Sequence, residues 1–129
     1  MNALDPFVRQ WAALLTTFRR DGTPVGTPVS LVVEDDHAYF RTWSTSGKMK
    51  RIRNNPEVEV APSTALGRAT GPAIRGRVRV LKDAEAEHAA RLLSRKHPVM
   101  HRFLVPMAHR LRGYETVHLE LIPTGEIAD

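Results

Sequence analysis

The sequence predicts a mainly β fold, a small antiparallel barrel with peripheral α-helices. Several short segments rich in Val and Thr alternate with turn residues, which is typical of antiparallel strands. One helical pattern precedes the strand segments, a basic one lies between them, and others follow the fifth strand segment. A closing strand comes last. At 129 residues the chain is close to the commonest domain size, so we expect residues 1–129 to form one domain.

The N-terminal part is predicted to contain a short helix and three strands. Asp5-Pro6 is typical of an N-cap followed by proline at the first helical position, which predicts a helix over roughly residues 6–12. Asp21-Gly22 is a predicted hairpin turn, and the acidic residues 34–36 make the next turn. These turns delimit predicted strands over residues 14–19, 23–33 and 38–43.

The middle of the chain is predicted to contain a basic helix and two more strands. Ser46 is placed to cap a helix through Lys48, Met49 and Ile52, which ends at Asn54, Asn55 and Pro56. Residues 57–61 alternate charged and apolar side chains as a half-buried strand does, and Pro62 is expected to close that strand. The next strand has a core side and a basic side, formed by Ile74, Gly76, Val78, Val80 and by Arg75, Arg77, Arg79.

The C-terminal part is predicted to contain helices and a closing strand. Asp83 is expected to cap an amphipathic helix. Pro98 interrupts this helix, and a second helical segment is expected over residues 99–111. The last strand is predicted over residues 114–122, where Pro123 stops it. The apolar face of the first helix carries Ala86, Ala89, Ala90 and Leu93.

Composition and charge narrow the possible functions. The chain has no cysteine, which excludes disulfides, thiolate nucleophiles and iron–sulfur clusters, so redox chemistry requires a bound cofactor. The 19 Lys and Arg residues against 14 Asp and Glu give a net charge of +5, which favours an anionic partner such as phosphate, polyglutamate or nucleic acid. No stretch has the apolar core of a signal peptide or the length of a membrane span, so we expect a cytoplasmic protein without a membrane partner.

The strongest chemical motif is RTWSTSGKMKRIRNNP at residues 41–56, where a strand leads through a hydroxyl- and glycine-containing loop into the basic helix. Helix N-termini bind phosphate because their free N–H groups and the helix dipole favour negative charge. Lys48 and Arg51 stand three residues apart and share a helix face. A solvated basic helix face explains the same pattern, since the loop matches neither well-known glycine-rich nucleotide motif. Side-chain donors for an anion are Thr42, Thr45, Ser46, Lys48 and Arg51.

These segments resemble the flavin- and deazaflavin-dependent oxidoreductases of the pyridoxamine-phosphate-oxidase-like superfamily, which have an antiparallel split β-barrel. Three blocks carry the resemblance and cover most of residues 12–82. In chain order they are LLTTFRRDGTPVGTPVSLVVEDDHAYFRT, SGKMKRIRNNPEVEVAP and GRATGPAIRGRVRVL. The closing YETVHLELIP is similar to their last strand, whereas residues 84–112 carry no matching motif. The resemblance implies a homodimer with a cofactor groove at the subunit interface and hydride transfer to an electron-poor, conjugated small molecule.

The resemblance also implies which residues surround the cofactor. In that family the cofactor phosphate is surrounded by the residues that match Thr42, Ser46, Lys48 and Arg51, and Arg41 lies close by. The segment that matches residues 27–30 offers its backbone to the edge of the ring system. An ordinary strand with an edge proline explains segment 27–30 equally well without the resemblance. The candidate cofactor-binding residues are Thr27, Pro28, Val29, Ser30, Arg41, Thr42, Thr45, Ser46, Gly47, Lys48, Arg51, Ala61 and Pro62.

The resemblance is greatest to the branch that uses the deazaflavin coenzyme F420, and FMN is the alternative cofactor. Both carry a phosphate, but F420 adds a lactyl–oligoglutamate tail with several carboxylates. Positive charge for such a tail is offered by Lys50, Arg53, Arg68, Arg75, Arg77 and Arg79.

Other functions have weaker support in the sequence. An FMN-binding, cofactor-carrying or haem-handling relative has the same fold, and a nucleic-acid-binding barrel would use the three arginines of residues 75–79. Aromatic residues for base stacking make up only 6% of the chain, so we expect no nucleic-acid partner. His97 and His101 are separated by Pro98 and have no carboxylate nearby, so we expect no metal site. No catalytic residue is identified, since the possible proton donors Tyr39 and Tyr114 are typical of half-buried strand positions.

Overall fold

The computed structural model of the protein describes residues 2–96 and 115–126. In chain order its elements are a 3₁₀ helix Asp5–Phe7, β1 Ala12–Phe18, β2 Pro24–Val29, β3 Val32–Glu34, β4 His37–Trp43, α1 Gly47–Asn54, β5 Glu57–Ser63, β6 Ile74–Val80, α2 Asp83–Lys96 and β7 Thr116–Glu126. Within these two ranges, none of the helices combines the length and the apolar character needed to cross a membrane.

The strands form one antiparallel sheet in the order β2-β1-β5-β6-β7-β4-β3. β2 and β3 lie at opposite edges of this sheet, although only Ser30 and Leu31 separate them in the chain. Three residue steps span at most about 11 Å, so the sheet curls until its edges approach each other and forms a split barrel. The predicted mainly β fold with peripheral helices is confirmed. The single strand predicted over residues 23–33 is wrong, because this segment supplies both edges and breaks between them.

The helix predicted over residues 6–12 is also wrong in extent. Only Asp5–Phe7 is helical, as one 3₁₀ turn, and β1 already begins at Ala12. Asp5 is the first residue of this turn and Leu4 is its N-cap, without a side-chain cap. The Asp5 carboxylate instead accepts a hydrogen bond from the backbone N–H of Asn2 at 3.0 Å. Leu4 and Phe7 are buried in the core, so tertiary packing holds this segment where its local propensity is weak.

Two prolines lie inside strands that they were expected to end. Pro62 belongs to β5 and pairs with Ala13, and its carbonyl accepts from the Thr70 N–H at 2.8 Å on the side away from β1. Its missing N–H therefore removes no bond from the β1–β5 ladder. Pro123 belongs to β7 at a β-bulge, where Gly76 pairs with Pro123 and the preceding Arg75 pairs with Gly125.

The core fills the interior of the barrel, and α1 packs on it. Met49 and Ile52 of α1 are buried among the barrel residues, and Ser46 caps the helix as predicted, accepting from the Met49 N–H at 3.1 Å. α2 covers the outer face of β3 and β4 through Ala89 and Leu93, which confirms its predicted apolar face. The fully buried strand residues of the interior include Ala13, Leu15, Ala38, Phe40, Val60, Leu119 and Leu121.

Residues 97–114 lie outside the described part of the chain. The helix predicted over residues 99–111, the histidines His97 and His101, and Tyr114 fall there. The strand predicted over residues 74–80 matches β6, with Ile74, Gly76 and Val78 buried. Val80, predicted on the core side, is instead 39% exposed at the end of the strand.

Candidate functional site

A groove of about 330 Å³ lies beside the C-terminal half of β2, where the chain leaves this strand for β3. We call it the β2 groove. Its lining combines apolar residues from three separate segments with two cations, one from β4 and one from α1. The lining residues are Trp11, Ala12, Pro28, Val29, Ser30, Arg41, Lys48 and Ala65.

The two cations of the β2 groove are partly withdrawn from water. Burial lowers the pKa of the Lys48 ammonium, and the nearby charge of Arg51 lowers it further. Burial likewise lowers the pKa of the Arg41 guanidinium. In residues 2–96 and 115–126 no carboxylate forms an ion pair with Lys48. A half-buried ammonium without a carboxylate partner is stabilised by a bound anion.

Two hydroxyl groups lie beside Lys48. Its Nζ donates to Thr42 Oγ1 at 3.4 Å, and Thr42 Oγ1 lies 3.0 Å from Ser46 Oγ. Ser46 also caps α1, so these groups converge on the helix N-terminus, where the first N–H groups have no acceptor within the helix. Cation, hydroxyls and helix terminus together form the donor set that phosphate prefers.

Arg51 and Gly47 face a different groove. Arg51 Nε donates to the buried Thr17 Oγ1 at 2.6 Å, which holds this side chain against β1. A Cβ at Gly47 would lie 3.0 Å from Arg51 Nη1, so the glycine leaves room for the guanidinium. Both residues line a second, basic groove together with Lys50, so Lys48 is the cation that α1 contributes to the β2 groove.

The remaining predicted residues are divided between the groove and the sheet. Pro28, Val29 and Ser30 line the groove, as the resemblance implies for its ring-binding segment. Thr27 does not line it, but its Oγ1 is buried and has no hydrogen-bond partner among the described residues. Thr45 is exposed in the loop before α1. The residues Ala61 and Pro62 are buried in β5 opposite Leu14 and Ala13, outside the lining of the groove.

Three lining residues were not among the predicted site residues. Trp11 falls inside the helix predicted over residues 6–12, whereas the structure places it directly before β1, with 64% of it exposed. Ala12 is the first residue of β1, and Ala65 comes from the loop after β5. Neither alanine has a local sequence signal, because only the tertiary fold brings these segments to β2.

The residues present fit a phosphorylated ring cofactor. The donor set at Lys48 suits a phosphate, and the apolar lining from Trp11 to Ala65 suits an aromatic ring system. In the described ranges no group of three or more His, Cys, Asp or Glu residues is arranged to hold a metal ion.

A separate polar network lies under α2 on the outer face of the sheet. His88 Nε2 of α2 is 2.8 Å from Glu34 Oε2, and the Tyr39 hydroxyl donates to Glu34 Oε1 at 3.2 Å. Burial and Glu34 raise the pKa of Tyr39 to about 12, and this residue does not line the β2 groove. His37 Nδ1 is 2.6 Å from Glu120 Oε2, which links β4 to β7.

A family model described as pyridoxamine 5'-phosphate oxidase matches residues 3–119. A search of the curated proteins gives no match. A conserved hypothetical protein from Mycobacterium tuberculosis has 17% identity and a TM-score of 0.67, covering 95% of this chain and 81% of that chain.

Two further solved structures have names that refer to F420 or to heme. One named F420 reductase has 19% identity and a TM-score of 0.61, covering 92% of this chain and 90% of that chain. The heme storage protein HutZ from Vibrio cholerae has 13% identity and a TM-score of 0.63, covering 96% of this chain and 92% of that chain. At these identities the likeness shows a shared fold.

Proposed function

Because the chain belongs to the pyridoxamine 5'-phosphate oxidase family, we propose that it is an oxidoreductase that holds the deazaflavin coenzyme F420 in the β2 groove. Its substrate is an electron-poor, conjugated small molecule. The observation that carries the proposal is the half-buried Lys48 ammonium beside the Thr42 and Ser46 hydroxyls, at the edge of a groove with apolar walls.

The phosphate position follows from the charges of this site. Withdrawing Lys48 from water destabilises its charged form, and a phosphate within contact distance compensates for that cost. Thr42 and Ser46 add hydroxyl donors, and the first N–H groups of α1 add backbone donors. These groups would hold the phosphate of F420 or of FMN equally well.

The rest of the groove would bind and shield the ring system. The backbone of Pro28, Val29 and Ser30 is available to the ring edge, and Trp11 would pack against the ring and exclude water. When bound, the deazaflavin supplies the hydride, so the protein itself provides binding, orientation and a dry site. Because the coenzyme supplies the hydride, the groove requires no catalytic acid–base pair.

The site would be completed by a second copy of the chain. The β2 groove is open on one side, and its rim exposes Trp11 to 64%. Leu66, next to the lining residue Ala65, is 95% exposed. Apolar side chains at the rim of an open groove are typical of a protein interface. We therefore include a homodimer, with the groove at its interface, in the proposal.

Binding titrations test the choice of cofactor. Purified protein is titrated with F420 and with FMN, each at low and at high salt, with the fluorescence of the ligand as the signal. We expect tighter binding of F420, with a margin over FMN that shrinks as salt rises, because the acidic tail of F420 adds exposed, screened contacts worth about 0 to 1 kcal/mol each. Equal or tighter binding of FMN at low salt would show that FMN, and not F420, is the cofactor of the β2 groove.

Nucleic acid binding by β6 has less support in the structure than in the sequence. Arg77 forms a salt bridge with Glu57, and Arg79 forms salt bridges with Glu85 and Glu120. These carboxylates neutralise two of the three arginines on which that alternative depends.

A further inference from the structure

A second groove lies beside α1 and contains four cations. It measures about 420 Å³ and shares no lining residue with the β2 groove. We call it the basic groove. Its lining residues are Arg19, Arg20, Gly47, Lys50, Arg51 and Asn54.

Two local structures bring these residues together. Gly47, Lys50, Arg51 and Asn54 are spaced by three and four residues, so they lie on one face of α1. Opposite them, Arg19 and Arg20 follow the end of β1 at the hairpin turn. The Arg19 N–H donates to the Thr23 carbonyl at 2.9 Å, which fixes the turn that carries both arginines.

Arg51 is held in place before any ligand arrives. Its Nε donates to the buried hydroxyl of Thr17, and its Nη1 occupies the space that a side chain at position 47 would fill. In the described part of the chain the side-chain hydrogen bonds of Arg51 are limited to Nε. A fixed guanidinium loses little conformational entropy when it binds an anion.

The basic groove lacks the carboxylates that neutralise the arginines of β6. Among the described residues, none of Arg19, Arg20, Lys50 or Arg51 takes part in a salt bridge, whereas Arg77 and Arg79 do. The nearest acid in sequence is Asp21, whose Oδ1 accepts from the Thr23 N–H at 3.0 Å. Hydrogen bonds from Thr23 are the main cause that lowers the pKa of Asp21, and the charge of Arg19 contributes less. Four like charges in one groove repel each other unless an anion lies between them.

We propose that the basic groove is a binding site for a multivalent anion, a short chain of phosphate or carboxylate groups. Several anionic groups are needed because four cations face one groove, and an extended ligand suits its open shape. The site is separate from the β2 groove, and its test uses no ring cofactor. Because Lys50 also offers charge to the acidic tail of F420, the carboxylate-chain form of the inference rests on the proposed function.

Calorimetric titration without any cofactor tests this site. The probes are tripolyphosphate and a triglutamate peptide, and the proteins are the parent, Arg20→Ala, Lys50→Ala and the double variant. Matched controls are Arg91→Ala and Lys82→Ala, which remove the same charges from exposed positions outside the groove. We expect saturable binding by the parent, a loss of about three- to fivefold in each single variant and of about tenfold or more in the double variant. The controls should keep the affinity of the parent.

Two results would overturn the proposal. One is the absence of saturable binding of either probe to the parent, and the other is an equal loss of affinity in the controls, which would reduce the effect to net charge. Tighter binding of tripolyphosphate would assign the groove to a phosphate chain, and tighter binding of triglutamate to a carboxylate chain. Neither probe carries a ring system, so failure of F420 binding in the β2 groove leaves this test unaffected.

Discussion

Lys48 is the side chain on which the proposed phosphate site depends most, because it is half-buried, lines the β2 groove and contacts Thr42. We predict that Lys48→Ala lowers cofactor affinity by roughly ten- to a hundredfold, the loss of one charge-assisted hydrogen bond worth about 1.5 to 3 kcal/mol. Fluorescence titration measures this loss. Lys82→Ala removes the same charge from an exposed position and should bind normally. Parental affinity in Lys48→Ala would place the phosphate elsewhere.

Arg51 has a structural role that its position in a basic helix does not indicate. Its Nε donates to Thr17 Oγ1, and Thr17 is fully buried. We predict that Arg51→Ala lowers the free energy of unfolding by about 1 to 3 kcal/mol, because the buried hydroxyl loses its donor. Thermal or urea unfolding measures this change, with the exposed Arg53→Ala as the control. An unchanged stability would show that Thr17 finds another partner.

At the scale of elements, α1 joins core packing to anion binding. Ser46 caps this helix through the Met49 N–H, and Met49 and Ile52 bury the opposite face in the barrel. We predict that Ser46→Asp keeps the melting temperature, since Asp caps as well as Ser, but lowers cofactor affinity through repulsion of the phosphate. Ser46→Ala should instead lose about 1 kcal/mol of stability. Parallel melting and binding experiments separate the two effects, and undiminished affinity in Ser46→Asp would contradict the helix-terminus site.

The attachment of α2 to the sheet predicts a dependence of stability on pH. The pKa of Glu34 lies below its ordinary value of 4.5, chiefly because of the hydrogen bond with His88. The hydrogen bond from Tyr39 and the charge of His37 lower this pKa further. A carboxylate with a lowered folded-state pKa stabilises the fold fully above its ordinary pKa, and this contribution is lost as pH falls through the lowered value. We therefore expect the parent to melt at a higher temperature than Glu34→Gln near pH 7, with a difference that shrinks toward pH 3.

Thermal melts from about pH 7 to pH 3 measure that difference. Asp36→Asn, in the exposed turn after β3, changes the charge equally and is the control. A difference between the parent and Glu34→Gln that stays constant over the whole range would show that packing, and not ionisation, attaches α2 through this residue.

At the scale of the whole molecule, the open β2 groove and its apolar rim predict a homodimer. Light scattering should give twice the mass of the 14.5 kDa chain. The double variant Trp11→Asp, Leu66→Asp places two charges at the rim, so it should shift the protein to monomers and weaken cofactor binding. Val80→Asp, at an exposed apolar position of β6, is the control. A parental monomer that binds cofactor tightly would contradict the interface.

The sequence by itself determined the features that depend on near neighbours in the chain. The two-residue alternation of β6, the Asp21-Gly22 turn and the Ser46 cap each involve residues a few positions apart, so local preferences are enough to predict them. The strand pattern and the blocks that carry the resemblance gave the fold class and most of the groove lining.

Only the tertiary structure decided how distant segments meet. It divided residues 23–33 between the two edges of the barrel, and it allowed Pro123 inside β7 at a bulge. It placed Lys48 and Arg51 in separate grooves, because Arg51 bonds to Thr17, 34 residues earlier in the chain. The partners of a charged side chain lie on other strands and depend on sheet order and register, which pairwise contacts across the whole fold determine and local periodicity does not encode.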